Sequence, residues 1–215
     1  PGGMYNMASG FQKYMDELGI KLNFNYEVTG ITKANGRVDG IMCNGRKFNA
    51  DVVVSNMEGI PAYSELMGEE AGFLRKLEKY EPACSGLVLD IGLDIQYPQL
   101  AHHNFLFSGN QREHFDTVFN KKKLPKDPTI YLVDASKSDP SVAPDKCSGL
   151  KILPHIPYID VNNPLTAEDY KQYKEVILDK LERFGLQDLR RHIVFEHMLT
   201  PPDILKMYNS NKGSI

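Results

Sequence analysis

Apolar positions along this chain change their spacing several times, and the changes mark out its elements. Met4, Met7, Phe11, Met15 and Leu18 recur at helical spacing, and Gly19 stands where a left-handed glycine ends a helix. Ile20, Leu22, Phe24, Tyr26 and Val28 then alternate with Lys21, Asn23, Asn25 and Glu27, the period of a strand with one buried face. Asn35-Gly36 and Asn44-Gly45 are favoured two-residue hairpin turns, because both positions need φ > 0. They predict a three-stranded meander over residues 31–33, 37–43 and 46–48. It leads into Ala50-Asp51-Val52-Val53-Val54-Ser55-Asn56, whose three valines predict a short strand covered on both faces. Ser55-Asn56 would end that strand, and in open α/β sheets ligands sit beyond the carboxyl ends of strands.

From residue 59 to 80 the pattern predicts two short helices, one carrying Ile60, Tyr63, Leu66 and Met67 and the other Phe73, Leu74 and Leu77. Glu81-Pro82 breaks them. Four strands are expected next, at 86–93, 104–107, 129–133 and 150–156, with Leu87, Leu89 and Ile91 sharing one face of the first. Pro154 argues for an edge position, since proline cannot donate to a ladder. A helix over 112–123 would turn Phe115, Val118 and Phe119 inward. The strongest helix starts at Thr166, a good N-cap with Glu168 and Asp169 in its first turn, and carries Tyr170, Tyr173, Ile177, Leu181 and Phe184. Residues 192–199 predict a last strand, and Thr200-Pro201-Pro202-Asp203 a short helix after it. A domain boundary is expected between residues 56 and 82, where the architecture changes.

Composition narrows the function classes. With 215 residues, 41% hydrophobic and 25% charged, this is ordinary globular material. A net charge of −3 and a pI near 6.1 argue against nucleic acid as the main partner. No apolar run approaches the roughly 20 residues that span a bilayer. Cys43, Cys84 and Cys147 are odd in number and widely spaced, so a disulfide framework is not expected and a reducing cytoplasm is the simplest setting. A start at Pro1 ahead of a helix and a stop at Gly213-Ser214-Ile215 point to a piece of a longer protein.

Candidate chemistry is sparse. His102 and His103 are adjacent, and His192 and His197 are five apart; on strands each pair would face opposite ways, which favours structural roles over a shared metal. Asp90 and Asp94 share a face parity, though a solvated face is the plainer reading. Cys84-Ser85 lacks a nucleophile elbow. Lys121, Lys122, Lys123 and Lys126 suit a solvated helix end, with anionic lipid as the alternative. Phe105, Phe107, Phe115, Phe119 and Tyr131 are the aromatic residues of a core, or else of a tunnel for an apolar ligand.

Read together, several segments resemble one family. Pro1-Gly2-Gly3-Met4 before a helix, the meander ending in Ala50–Asn56, Cys84-Ser85-Gly86, Tyr97-Pro98-Gln99-Leu100-Ala101-His102-His103, Asp127-Pro128-Thr129-Ile130-Tyr131, Asp139-Pro140-Ser141-Val142-Ala143-Pro144 and Thr200-Pro201-Pro202-Asp203 stand as in the phytoene desaturase-type flavoproteins. The resemblance covers nearly the whole chain. It implies an FAD-dependent desaturase or dehydrogenase of a polyisoprenoid, carotenoid-type substrate, cytoplasmic and peripherally membrane-associated, and represented here by a central fragment. The fold it implies is mixed α/β. Residues 1–58 would be part of an FAD-binding domain with its meander, 59–200 a substrate domain with a largely antiparallel sheet covered by helices, and 201–215 the start of the return. Gly2, Gly3, Val28, Ser55 and Asn56 would lie near FAD; no acid–base residue and no metal is implied. The glycine fingerprint G-x-G-x-x-G does not occur in these 215 residues, so the chain by itself is expected not to hold FAD tightly. Other flavin oxidases of the amine-oxidase or retinol-saturase type, and a non-enzymatic binder of prenylated partners resembling the GDP-dissociation inhibitors, are the alternatives.

Overall fold

The structure, a computed structural model, describes residues 3–215. The chain falls into two compact units, one chiefly Asn6–Glu81 and the other chiefly Pro82–Tyr208. Its class is mixed α/β with antiparallel sheets, as expected.

In the smaller unit, α1 (Tyr5–Glu17) forms where the spacing placed it, yet none of its side chains is buried. The meander is β1 (Val28–Ala34), β2 (Arg37–Cys43) and β3 (Arg46–Asn49), antiparallel in sequence order. Both hairpin turns have the left-handed pair that Asn-Gly supplies, with φ of 51° and 75° at Asn35-Gly36 and 48° and 73° at Asn44-Gly45. Helical turns follow at α2 (Gly59–Pro61), which runs on through Ala62–Leu66, and at α3 (Ala71–Leu77). Lys33 reaches Glu69 at 2.5 Å.

Two strand expectations fail here. Residues 20–27 are irregular, with Asn25 left-handed, and β1 begins only at Val28. Residues 52–56 are likewise irregular, and Val54 is 90% exposed. An apolar alternation states which face a strand would bury but supplies no partner for its N–H and C=O groups. Among the described residues neither segment pairs with another strand.

The larger unit is a six-stranded antiparallel sheet. Its strands are β4 (Ser85–Gly86), β5 (Val88–Leu93), β6 (His103–Leu106), β7 (Ile130–Asp134), β8 (Ser148–Ile156) and β9 (Ile193–Leu199), ordered β6-β7-β8-β5-β9 with β4 beside β8. Between β6 and β7 stands α4 (Gln111–Phe115), which runs on through Asp116–Asn120. The long helix α5 (Ala167–Arg183) is held at its start by a reciprocal pair: Thr166 Oγ1 accepts from the Asp169 amide, and the Asp169 carboxylate accepts from Thr166 N–H. α6 (Pro201–Tyr208) starts similarly, with Asp203 accepting from Thr200 N–H and Oγ1.

Period two sorts the side chains. Leu89, Ile91 and Leu93 of β5, Ile130 and Leu132 of β7, and Leu150, Ile152 and Ile156 of β8 form one core with Tyr170, Tyr173, Ile177, Leu178 and Leu181 of α5. Each such aliphatic side chain, fully buried, contributes about 1.5–3 kcal/mol. Phe184, expected on the same stripe, is the C-cap of the helix and is exposed instead.

Pro154 was expected at an edge. It lies inside the sheet, opposite Ile130 of β7. On its other side the registers Gly86↔His155 and Leu89↔Ile152 bring Leu87 opposite it, and Leu87 is the residue at which the ladder is interrupted between β4 and β5. The missing donor of proline thus falls where no ladder bond is made.

Candidate functional site

With α5 on one face of the large sheet, the alternate positions face the other way. The registers place them in rows. One row is Phe105, Tyr131 and Leu153. The next is His103, Val133, Lys151, Asp90 and His197, across five strands. A third is Gly149, Gly92 and Phe195. This face is largely uncovered: Phe105 is 55% and Phe107 61% exposed, and Phe195 is exposed as well.

The rings on it are ordered. Phe105 stacks on Tyr131 with centroids 4.8 Å apart, on Phe107 at 6.0 Å, and Tyr131 in turn stacks on His103 at 5.9 Å. The Tyr131 hydroxyl and His103 Nδ1 are hydrogen-bonded at 2.7 Å, which fixes both rings. Phe115 and Phe119 continue the aromatic surface beside His155. The bland reading of these aromatics as core therefore fails for Phe105, Phe107 and Phe115: they are core-sized side chains on an open face, and alternation alone could not say which face α5 would cover.

The end of β6 is anchored from below by a lysine. Lys180 of α5 is 1% exposed, and its ammonium donates to Asp127 Oδ1 at 2.6 Å, Phe107 O at 2.9 Å and Pro128 O at 2.7 Å. Burial works to raise the Asp127 carboxyl, but the hydrogen bonds from Lys180 and the Gly109 amide outweigh it and hold it below the usual range. Sequence reading missed this residue, although Lys180 falls on the apolar stripe of α5, three positions after Ile177.

Beside it lies a hollow of about 290 Å³, whose lining includes Ser108, Asn110, His114, Leu124, Pro125 and Asp127. His114 is 2% exposed; its Nδ1 accepts from Thr129 N–H at 3.5 Å, while Nε2 has no partner among the described residues. Burial first, then the neighbouring His155 and Lys180, pushes His114 below the ordinary imidazole range, and burial does the same to half-buried His155. An unfolded chain protonates these rings below pH 6.5, their ordinary value, while the folded chain resists. Their contribution to stability is therefore complete above pH 6.5 and lost as pH falls toward the depressed folded values. Chemical unfolding measured between pH 7 and 5 is expected to show this decline, and His114→Phe to flatten it. Equal slopes for both proteins would refute the assignment.

The family resemblance places Gly2, Gly3, Val28, Ser55 and Asn56 near FAD. Gly2 is outside the described residues. Gly3 is left-handed, with open space around it. Val28 is half-buried and pairs with Cys43 at the start of β1. Ser55 and Asn56 are exposed, and Ser55 Oγ accepts from the Met57 amide two residues on. No hydrogen bond links any two of them among the described residues.

Other candidates resolve into local partnerships. His102 bonds Ser138 at 2.6 Å and His192 bonds Asp94 at 2.8 Å, while Asp90 faces Lys151 at 3.6 Å, so the two aspartates are not a pair. Burial raises the Cys84 thiol, the opposite of activation, and Ser85 Oγ donates to Gly213 O. Lys121 pairs with Asp116 at 2.8 Å, and Lys122 lies over the Tyr158 ring at 4.1 Å. Among the described residues no group of three or more His, Cys, Asp or Glu is placed to hold a metal, and no helix is long and apolar enough to cross a membrane.

No family model matches the chain. It is 53% identical over 215 residues to a 4,4'-diapolycopene oxygenase of a Methylomonas species, and 45% identical over 216 residues to 4,4'-diaponeurosporene oxygenases of Staphylococcus haemolyticus and Staphylococcus aureus. Each match takes in all of this chain and 43% of the relative, so the chain spans less than half the length of these curated relatives. A solved oxidoreductase from Methanosarcina mazei superposes with a TM-score of 0.61 over 88% of this chain and 40% of its own, at 17% identity, which shows a shared fold.

Proposed function

We propose that this chain, akin along its whole length to carotenoid-type oxidoreductases, forms part of an enzyme acting on an apolar polyene, with the open face of the large sheet as the substrate surface. One observation carries the reading: the stacked row His103–Tyr131–Phe105–Phe107, left uncovered although its rings are core-sized. A conjugated chain is flat and stiff and has no hydrogen bonds to satisfy. Aromatic rings in offset or parallel array offer it large contact area at little entropic cost. Lys180 keeps the row in place by holding Phe107 O from the buried side.

The redox partner in this reading is FAD, carried by the resemblance of the motifs; when bound, a flavin supplies two-electron oxidation. In this reading this chain's own part is to bind the polyene, orient it and exclude water. Removal of hydrogen is the outcome the desaturase resemblance implies. Insertion of oxygen stands beside it, because the relatives are named oxygenases. Mass analysis of the product from the intact protein separates the two.

Phe105→Ala with Phe107→Ala tests the surface. Each lost aromatic contact is worth about 0.5–1.5 kcal/mol beyond its area, so polyene binding should weaken by roughly tenfold or more. Because both rings are mostly exposed, folding stability should stay within about 0.5 kcal/mol. Unchanged polyene affinity in the double variant would refute the reading.

A further inference from the structure

We infer that a trough floored by Gly149 selects among polyenes, receiving a methyl-bearing stretch of the conjugated chain; this rests on the substrate surface proposed above. The register sets Gly149 of β8 against Gly92 of β5, so two neighbouring strands both lack a side chain at the same level of the open face. The gap is about 380 Å³, within the range of small-molecule sites. Phe195 walls it on one side, and Val133, Ala135 and Val142 on the other. Val133 sits two residues from Tyr131 on the same face of β7, so the trough continues from the aromatic row.

Gly149 is not required by the fold. It has no left-handed φ, and a Cβ built there meets nothing within 4 Å. Gly92 differs, since its Cβ would lie 3.2 Å from that of Phe195. Glycine inside a strand weakens it, and it marks places where something approaches the backbone closely. At Gly149 the space above the sheet is what a side chain would consume. Carbon-lined walls offer water few hydrogen-bond partners, whereas a flat chain with in-plane methyl branches fills such a slot. The Asp90–Lys151 pair, 3.6 Å apart, borders the trough and adds no net charge.

The test uses the intact protein with Gly149→Leu and Gly149→Ala, and two coloured or fluorescent probes. Crocetin is an acyclic methyl-branched polyene; parinaric acid is an unbranched tetraene. Gly149→Leu is expected to weaken crocetin binding by about tenfold, to weaken parinaric acid less, and to leave the melting temperature unchanged or raised. Gly149→Ala should show a smaller loss in the same order, and it carries the test if the leucine variant does not fold. Wild-type crocetin affinity in a folded Gly149→Leu protein would overturn the inference. So would a lowered melting temperature without loss of binding, the result expected if another protein segment or a second copy fills the trough. If Phe105→Ala with Phe107→Ala weakens crocetin and the Gly149 variants do not, the trough alone is wrong. If neither does, the substrate surface is wrong as well.

Discussion

Lys180→Met is expected to lower the unfolding free energy of the protein by about 2–6 kcal/mol, the cost of leaving two backbone carbonyls without their donor. Methionine keeps the stem but none of the three donors. Phe107 O and Pro128 O then lose their partner at a buried site, and each orphaned carbonyl costs about 1–3 kcal/mol. Asp127 loses its partner too, but it is half exposed and water can replace the ammonium. Asp127→Asn should therefore cost only about 1 kcal/mol or less. The two variants, compared by chemical unfolding, separate the role of the lysine as a donor to backbone from its role as a counter-ion. Equal losses would mean that the ion pair and not the carbonyl pair matters. Because Phe107 carries the aromatic row, Lys180→Met should also weaken polyene binding.

Gly213→Ala is expected to be of similar size, about 2–5 kcal/mol, from two causes that add. Gly213 is left-handed at φ 67°, which costs a residue with a Cβ about 1–3 kcal/mol. That Cβ would also lie 2.3 Å from Pro201 O and 2.9 Å from its carbonyl carbon, so the backbone must shift, at about 1–3 kcal/mol more. The shift would disturb the bond that Ser85 Oγ donates to Gly213 O at 2.5 Å, in a buried position. Gly45→Ala supplies the control: the same left-handed φ, 73°, with nothing within 4 Å. If thermal unfolding shows both variants equally affected, the contact with Pro201 is not tight.

Local sequence was sufficient wherever the determinant is local. The Asn-Gly turns formed because their required φ > 0 belongs to the dipeptide itself. The start of α5 formed where Thr166 and Asp169 can satisfy each other's amides. The buried face of β5 followed from alternation, since Leu89 and Ile91 differ from Asp90 and Gly92 in kind. The kinship with carotenoid-type enzymes was likewise legible, because it rests on the order of short motifs and not on their packing.

Tertiary structure decided what depends on a partner. Residues 52–54 have the composition of a covered strand, but a strand exists only where another backbone receives its hydrogen bonds, and here none does among the described residues. Phe105 and Phe107 look like core in the sequence; only the placement of α5 on the opposite face leaves them open. Lys180 looks like a misplaced charge on an apolar stripe until the ends of β6 and β7 bring two carbonyls and a carboxylate to it. Gly149 is an unremarked loop-edge glycine until the register sets it against Gly92. Side-chain period determines that a sheet has two faces. Which of them is buried, and which is left to bind, is decided by the long-range contacts that the period does not encode.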